Sequence, residues 1–221
     1  MTMMEAMRAR HSVRSYVDRP LEADAVDVLE AEIAACNRAG DLHIQLVKDE
    51  PQAFSGFMAH YGKFSGVKNY IALVGKKGPD LDEKCGYYGE RLVLLAQSLG
   101  VNSFWVAMSY DKSKAGCKLD AGEKLCVVIS LGYGATQGIA HKSKSAEQVM
   151  AAKGEVPQWF RAGVEAALLA PTAMNQQKFR FALEDGAVDA KAGTGFYSKI
   201  DLGIVKYHFE IGAGTQNFTW A

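Results

Sequence analysis

Two short segments of the chain carry side chains that could bind a phosphate group and a flat ring. The first is RHSVR, near the start of the chain, which supplies Arg10, His11, Ser12 and Arg14. Arginine gives bidentate, charge-assisted hydrogen bonds and serine gives a short neutral one, so this set of donors suits a phosphate. A solvated basic surface is the alternative interpretation. The segment favours an anion site only if another part of the chain supports it.

The second segment, APTAMNQQKF, supplies small residues and side-chain amides after a stretch with a helical pattern. An amide both donates and accepts hydrogen bonds, so Asn175 and Gln177 could match the N–H and C=O edge of a heteroaromatic ring. The small side chains of Thr172 and Ala173 would let the backbone approach such a ring. The same pattern is typical of a helix that stops at Pro171 and is followed by a polar turn.

Charge and composition exclude several classes of partner. Of 221 residues, 25 are Lys or Arg and 25 are Asp or Glu, so no net field would attract nucleic acid. No apolar run is long enough to cross a membrane and no cleavable signal is recognisable, which predicts a cytoplasmic protein. The four cysteines have neither CxxC nor Cys/His spacing, so no metal site is predicted. SLGYGATQG has spaced glycines but no following helix, which argues against a dinucleotide-binding turn.

Hydrophobic periodicity predicts an α+β fold. Helices are predicted over 18–40, 80–100, 157–170 and 202–214, and strands over 41–49, 69–75, 101–108, 124–134 and 178–185. Alternating and continuous apolar strands next to helices indicate a mixed sheet with helices packed on it. The order helix, strand, long helix recurs in both halves of the chain, which raises internal duplication as a hypothesis.

Four segments together resemble the FMN-dependent nitroreductase family. RARHSVRSY resembles that family's N-terminal arginine motif, and APTAMNQQKF resembles its Pro-[Ser/Thr]-x-x-Asn segment. LLAQSLGVNSFWVAM is similar to its passage from an alanine-containing helix into an aromatic strand. VVISLGYG followed by HKSKSAEQVM is similar to its late strand and basic tail. The resemblance implies an α-β-α sandwich whose mixed, mostly antiparallel sheet is flanked by helices.

The resemblance also implies which residues bind FMN. The residues that match the motif for the phosphate and ribityl chain are Arg10, His11, Ser12 and Arg14, with Lys142 and Lys144 as a looser second basic pair. Those that match the segment lining the isoalloxazine ring are Pro171, Thr172, Ala173, Asn175 and Gln177, and those on the strand near the flavin are Trp105, Val106 and Ala107. No catalytic acid or base is implied, because the flavin carries the reaction.

One feature departs from the family pattern. In ordinary members the Pro-[Ser/Thr]-x-x-Asn segment follows soon after the arginine motif, where this chain has AACNRAGDLH, and here the segment starts only at Pro171. Ordinary members are homodimers with the flavin between subunits. The chain is therefore predicted to fold as two closely packed halves, 1–140 with the phosphate motif and 141–221 with the ring motif. A monomer that mimics the homodimer is favoured, and a conventional homodimer stays open.

The implied activity is that of an oxidoreductase. NAD(P)H would reduce bound FMN, and the flavin would reduce an electron-poor small molecule, such as a nitroaromatic or a quinone, by a ping-pong mechanism. The alternative is an FMN-binding carrier or sensor without significant turnover. An interaction domain with no cofactor would require both motifs to be coincidental.

Overall fold

The computed structural model describes the whole chain, residues 1–221. Its helices are α1 (Met3–Ala9), α2 (Ala23–Gly40), α3 (Phe57–Tyr61), α4 (Leu81–Ser98), α5 (Ala146–Val149), α6 (Gln158–Ala167) and α7 (Ser198–Ala213). Its strands are β1 (Gln45–Val47), β2 (Asn69–Lys76), β3 (Asn102–Val106), β4 (Glu123–Gly132), β5 (Met150–Ala152), β6 (Phe179–Glu184), β7 (Ala187–Ala192) and β8 (Thr219–Trp220). No helix is both long enough and apolar enough to span a bilayer.

The chain forms two compact units from discontinuous segments. The arginine unit contains Ala9–Leu81 and Leu92–Ala140, and the amide unit contains Met1–Arg8, Asp82–Arg91 and His141–Ala221. Both units include a four-stranded sheet. The sequence predicts a division of the chain at residue 140 by function, with one part of a flavin site in 1–140 and the other in 141–221. That division stays a prediction.

The sheet of the arginine unit is antiparallel throughout, in the order β1-β2-β4-β3. Its strand β2 is buried from Asn69 to Gly75, as the continuous apolar run NYIALVG predicts for a strand covered on both faces. The predicted strand over 41–49 is shorter, and its burial differs from the expected alternation. Ile44 and Val47 are buried, whereas Leu46 is only half-buried.

The sheet of the amide unit is mixed, in the order β5-β6-β7-β8. Strands β6 and β7 are antiparallel, while β5 pairs with β6 and β7 pairs with β8 in parallel. The β6–β7 hairpin turns at Asp185 and Gly186, which have φ values of 51° and 81°. Positive φ at both central residues is the geometry of a type I′ turn, for which Asp-Gly is a preferred pair.

The prediction of an α+β fold with a mostly antiparallel, mixed sheet flanked by helices is confirmed, with the strands divided between two sheets. All four predicted long helices are present, although α2 begins at Ala23 and α7 begins at Ser198. The short elements α1, α3, α5, β5, β7 and β8 were not predicted. They are too short or too polar for periodicity to reveal.

Candidate functional site

The arginine segment, residues 10–16, runs extended along the edge of the sheet in the arginine unit. The backbone N–H of Val13 donates to the Ser103 carbonyl of edge strand β3 at 3.1 Å. On the other side, Ser65 N–H donates to the Arg14 carbonyl and Tyr16 N–H donates to the Ser65 carbonyl, both at 3.0 Å. The segment is therefore fixed from both sides by backbone hydrogen bonds.

The predicted phosphate donors of this segment have different surroundings. Arg10 is 4% exposed, whereas Ser12 is on the surface. The guanidinium carbon of Arg14 lies 4.2 Å from the centroid of the Phe104 ring, a cation–π contact that leaves its N–H groups available for an anion. His11 packs against Gly138, where an added Cβ would lie 2.8 Å from the His11 Cβ.

Tyr16 anchors the carboxyl end of the arginine segment. Its ring is 6% exposed and fills the space beside Gly132, where an added Cβ would lie 2.7 Å from the ring. Its hydroxyl donates to the Val13 carbonyl at 2.7 Å and lies 2.9 Å from the Ser130 hydroxyl. Burial raises the pKa of Tyr16 well above its ordinary value, against opposing effects of Ser130 and Arg14, so it stays neutral.

The residues predicted to lie near the flavin on a strand come just after Ser103, the β3 residue that contacts the arginine segment. Trp105 and Val106 lie on β3, two and three residues after Ser103, and Ala107 follows the end of the strand. Val106 is buried in the core, while Trp105 and Ala107 are half-buried. The structure thus brings the first group of predicted site residues together within the arginine unit.

In the amide unit, Gln177 links the ring motif to the predicted second basic pair. Its Oε1 accepts from Lys144 N–H at 2.8 Å, and its Nε2 donates to the Lys142 carbonyl and to Asn175 Oδ1, both at 2.9 Å. Asn175 Nδ2 also donates to the Lys142 carbonyl at 2.9 Å, and Lys144 Nζ donates to the Gln177 carbonyl. The amides thus organise the backbone here, and their contact with a ring stays a prediction.

The amide segment, residues 171–177, has an unusual backbone. Met174, Asn175 and Gln177 have φ values of 51°, 53° and 45°, in the left-handed region that non-glycine residues seldom adopt. The Thr172 hydroxyl accepts from Gln177 N–H at 3.1 Å, which closes the turn after Pro171. The residues between the helix stop and β6 are therefore a defined turn.

Asp201, which the sequence analysis did not select, holds the same turn from helix α7. It is 3% exposed; its Oδ1 accepts from Ala173 N–H at 2.9 Å and its Oδ2 accepts from Gln176 Nε2 at 2.7 Å. Burial raises the pKa of Asp201 to about 6, and the hydrogen bonds from Gln176 and Ala173 oppose this rise. The sequence did contain one indication of a buried carboxylate here, because Asp201 is the single acidic residue within the apolar pattern KIDLGIV.

The fold also gathers three potential metal ligands that sequence spacing did not reveal. Ligand atoms of His43, Asp120 and Glu123 lie within 4.8 Å of one another in the arginine unit. His43 Nδ1 lies 2.8 Å from Glu123 Oε2, and the same oxygen accepts from Asp120 N–H at 2.8 Å. Glu123 thus already bonds to the His43 ring and to the Asp120 backbone within this group.

A comparison with protein families identifies the chain. Residues 2–213 match a family model described as "Putative TM nitroreductase". The chain belongs to this nitroreductase family. The resemblance drawn from the sequence is therefore confirmed over nearly the whole chain.

Solved structures share the fold of this chain at low sequence identity. A "putative nitroreductase" from Thermotoga maritima is 21% identical with a TM-score of 0.67, over 96% of this chain and 83% of that chain. A "putative nitroreductase" in complex with FMN from Desulfovibrio desulfuricans is 20% identical with a TM-score of 0.55, over 71% and 99%. A "Putative NADH dehydrogenase/NAD(P)H nitroreductase" from Parabacteroides distasonis is 21% identical with a TM-score of 0.54, over 66% and 95%. No curated protein matches the chain.

Proposed function

We propose that this member of the nitroreductase family binds FMN and uses NAD(P)H to reduce an electron-poor small molecule, such as a nitroaromatic or a quinone, by a ping-pong mechanism. The donor set of the arginine segment carries the proposal, because it combines Arg10, Arg14 and the exposed Ser12 hydroxyl on a fixed backbone. The Desulfovibrio desulfuricans relative is described in complex with FMN, and the Parabacteroides distasonis relative is named for NAD(P)H. A cytoplasmic location, where NAD(P)H is available, is part of the same proposal.

The residues present fit the chemistry of FMN. Guanidinium groups and a hydroxyl suit its phosphate and ribityl chain. In the amide unit, Lys142 is exposed beside the amide segment, so its side chain is accessible to an anion. The small side chain of Ala173 and the left-handed turn at Asn175 allow close approach of backbone to a flat ring.

When bound, FMN supplies the chemistry of accepting a hydride and passing electrons on. Arg10 and Arg14 would hold the phosphate and balance its charge. Fixed backbone dipoles and the Asn175 amide would lie at the ring and favour negative charge there, which is most effective in a site with little water. No side chain is assigned as an obligatory acid or base.

We propose further that one chain supplies both groups of FMN-binding residues. Two relatives are covered over 99% and 95% of their own length by only 71% and 66% of this chain, so part of this chain has no counterpart in either relative's chain. The order helix, two antiparallel strands, helix, strand occurs as α2-β1-β2-α4-β3 if the short α3 is left aside, and again as α6-β6-β7-α7-β8. The second copy would stand in for a partner subunit, with residues 1–140 and 141–221 as functional halves.

The experiment is FMN binding by the purified protein and its variants, read by flavin absorbance and fluorescence. Arg10→Ala should weaken FMN binding by about 1.5–3 kcal/mol, the range for a hydrogen bond to a charged group. Arg10→Lys keeps the positive charge but loses the bidentate hydrogen bonds of the guanidinium group, so it should weaken FMN binding less. This variant also keeps the test informative if Arg10→Ala misfolds. Arg8→Ala removes an exposed charge two residues away and should bind FMN normally. A fully flavin-loaded Arg10→Ala protein would overturn the phosphate assignment.

Two further measurements separate the alternatives. NADH or NADPH added without oxygen should bleach bound flavin, and flavin that binds but does not bleach would establish a carrier or sensor instead. Native mass spectrometry should show one FMN on one chain. If FMN binds only to a two-chain species, and mixing Arg10→Ala with an Asn175→Ala variant restores binding, the site forms between chains. A protein that stays colourless after reconstitution would contradict the proposed function.

A further inference from the structure

Asp201 is a buried carboxylate whose two oxygens both serve the amide segment. One oxygen accepts the backbone N–H of Ala173, and the other accepts the side-chain N–H of Gln176. These two contacts bracket Met174 and Asn175, the residues with φ values of 51° and 53°. A carboxylate on a rigid helix thus spans the strained part of the turn.

The strained turn needs such support. Each non-glycine residue in the left-handed region costs about 1–2 kcal/mol and persists only where the surroundings fix it. On one side the turn is fixed by Gln177, which bonds to Lys142 and Lys144. On the other side it is fixed by Asp201. Loss of either support should let the turn relax toward ordinary backbone conformations.

We propose that Asp201 is a positioning residue for the flavin site, whose ionised carboxylate holds the amide segment in its ring-facing conformation and releases it on protonation. The proposal rests on the proposed function, since the segment contacts the flavin only if the chain binds FMN. It goes beyond the known motif, because Asp201 lies outside the Pro-[Ser/Thr]-x-x-Asn segment and acts on it through Ala173 and Gln176.

Protonation weakens the arrangement because a neutral carboxyl group accepts hydrogen bonds less strongly than an ionised carboxylate does. The bonds from the Ala173 N–H to Oδ1 and from Gln176 Nε2 to Oδ2 both lose their charge assistance when the carboxylate gains a proton. Gln176 cannot turn its amide over without losing the bond from Nε2 to the Phe196 carbonyl at 2.8 Å. Its Oε1 is also confined by Gly195, where an added Cβ would lie only 2.3 Å away.

The electrostatic surroundings make Asp201 the group that responds to pH. Burial raises its pKa, and the hydrogen bonds from Gln176 and Ala173 oppose that rise, while no charged side chain contributes. From the neighbouring elements, Glu83 of α4 pairs with Lys206 of α7 at 2.8 Å, and Lys178, directly before β6, donates to the Thr194 carbonyl. Lys199 is exposed on the first turn of α7, and Tyr197 precedes that helix.

The test compares Asp201→Asn with Glu90→Gln. Both variants replace a buried carboxylate of the amide unit with its amide, but the Glu90 carboxylate bonds to His208. Asp201→Asn removes the negative charge, as protonation does, and also places an amide N–H next to one of the two donors. We expect it to weaken FMN binding roughly tenfold to a hundredfold, the range for losing a hydrogen bond to a charged group, and to flatten the pH dependence of binding. The dissociation constant of the natural protein should rise below about pH 6, and Glu90→Gln should keep that profile.

Hydrogen–deuterium exchange of the FMN-free protein gives an independent measurement. Peptides covering residues 171–177 should exchange faster in Asp201→Asn, and in the natural protein below about pH 6 after correction for intrinsic rates, but not in Glu90→Gln. Unchanged exchange and unchanged pH dependence in Asp201→Asn would overturn the proposal. If no form binds FMN, the proposed function fails, and the exchange data alone still decide whether Asp201 holds the turn. If Asp201→Asn does not fold, the pH series on the natural protein decides the same point.

Discussion

Gly86 on α4 and Gly203 on α7 form a reciprocal contact in the amide unit. A Cβ added to Gly86 would lie 2.0 Å from the Ile200 carbonyl oxygen, and one added to Gly203 would lie 1.9 Å from the Glu83 carbonyl oxygen. Each glycine thus faces the carbonyl three residues before the other glycine. Such reciprocity is what a two-fold axis produces between equivalent surfaces, so it supports internal duplication.

Gly86→Ala should separate these two helices and lower the free energy of unfolding by at least about 1–3 kcal/mol, the usual cost of overpacking. The cost arises because the new methyl group meets backbone, which cannot move aside as a flexible side chain can. Equilibrium urea unfolding measures the change. Gly56→Ala is the control, since φ there is −87° and nothing lies within 4 Å of the added Cβ. Equal unfolding midpoints for the two variants would contradict the close contact.

The sequence predicted the elements whose side-chain period is strong. β2 and α4 were found because their apolar residues follow a clear pattern over 8 and 18 residues. The Gly86–Gly203 contact could not be predicted, because a glycine in a helical pattern looks the same whether a neighbouring helix or solvent lies beside it. β7 was missed since AVDAKA is short and only partly buried.

The candidate site was predictable only where it resembles a family motif. Arg10 and Asn175 were selected from such motifs, whereas Tyr16 was not identified as the anchor of the arginine segment. Its role depends on Ser130, which is far along the chain. Asp201 was missed for the same reason, since its partners Ala173 and Gln176 precede it by more than two dozen residues. Long-range pairing is a property of the fold that local patterns do not contain.

Gln177→Glu should destabilise the amide unit by about 3 kcal/mol, the scale of an uncompensated buried charge. The Nε2 atom of Gln177 faces the Lys142 carbonyl and both oxygens of Asn175, and a carboxylate oxygen there would meet only acceptors. Thermal unfolding at neutral pH measures the loss, which should shrink in acid as the new carboxyl gains a proton.

Gln148→Glu is the matched control for that substitution. Gln148 also accepts a backbone N–H, from Ser145 at the start of α5, but it forms a capping box in which Glu serves equally well. Its unfolding temperature should stay unchanged. A Gln177→Glu protein as stable as Gln148→Glu would show that the buried amide network is not formed as described.

Glu123→Gln should lower stability at neutral pH by about 1 kcal/mol, a typical hydrogen-bond contribution. Burial alone would raise the pKa of Glu123, but the His43 ring, the Asp120 N–H and the Lys76 charge outweigh it and lower the pKa. A lowered carboxyl pKa contributes stability above the ordinary value of 4.5, and this contribution is lost as pH falls through the folded value. Urea unfolding should therefore show the two proteins converging in acid. Glu30→Gln, which removes an exposed partner of Lys48, should have little effect at any pH.

Asp201 should give the stability of the protein a pH dependence of the opposite sign. Its pKa is raised from 3.8 to about 6, so between these values the folded chain keeps a proton that the unfolded chain has released. The free energy of unfolding must then fall as pH rises through this window, by about 3 kcal/mol at 1.36 kcal/mol per pKa unit, and stay level above it. Because other carboxyl groups titrate in the same range, the informative quantity is the difference between the natural protein and Asp201→Asn, measured by urea unfolding from pH 4 to pH 7. Asp185→Asn removes an exposed carboxylate from the β6–β7 turn, where asparagine tolerates the φ of 51° equally well, and should show no such difference. A constant difference between the natural protein and Asp201→Asn across this range would mean that the Asp201 carboxyl titrates as it does in the unfolded chain.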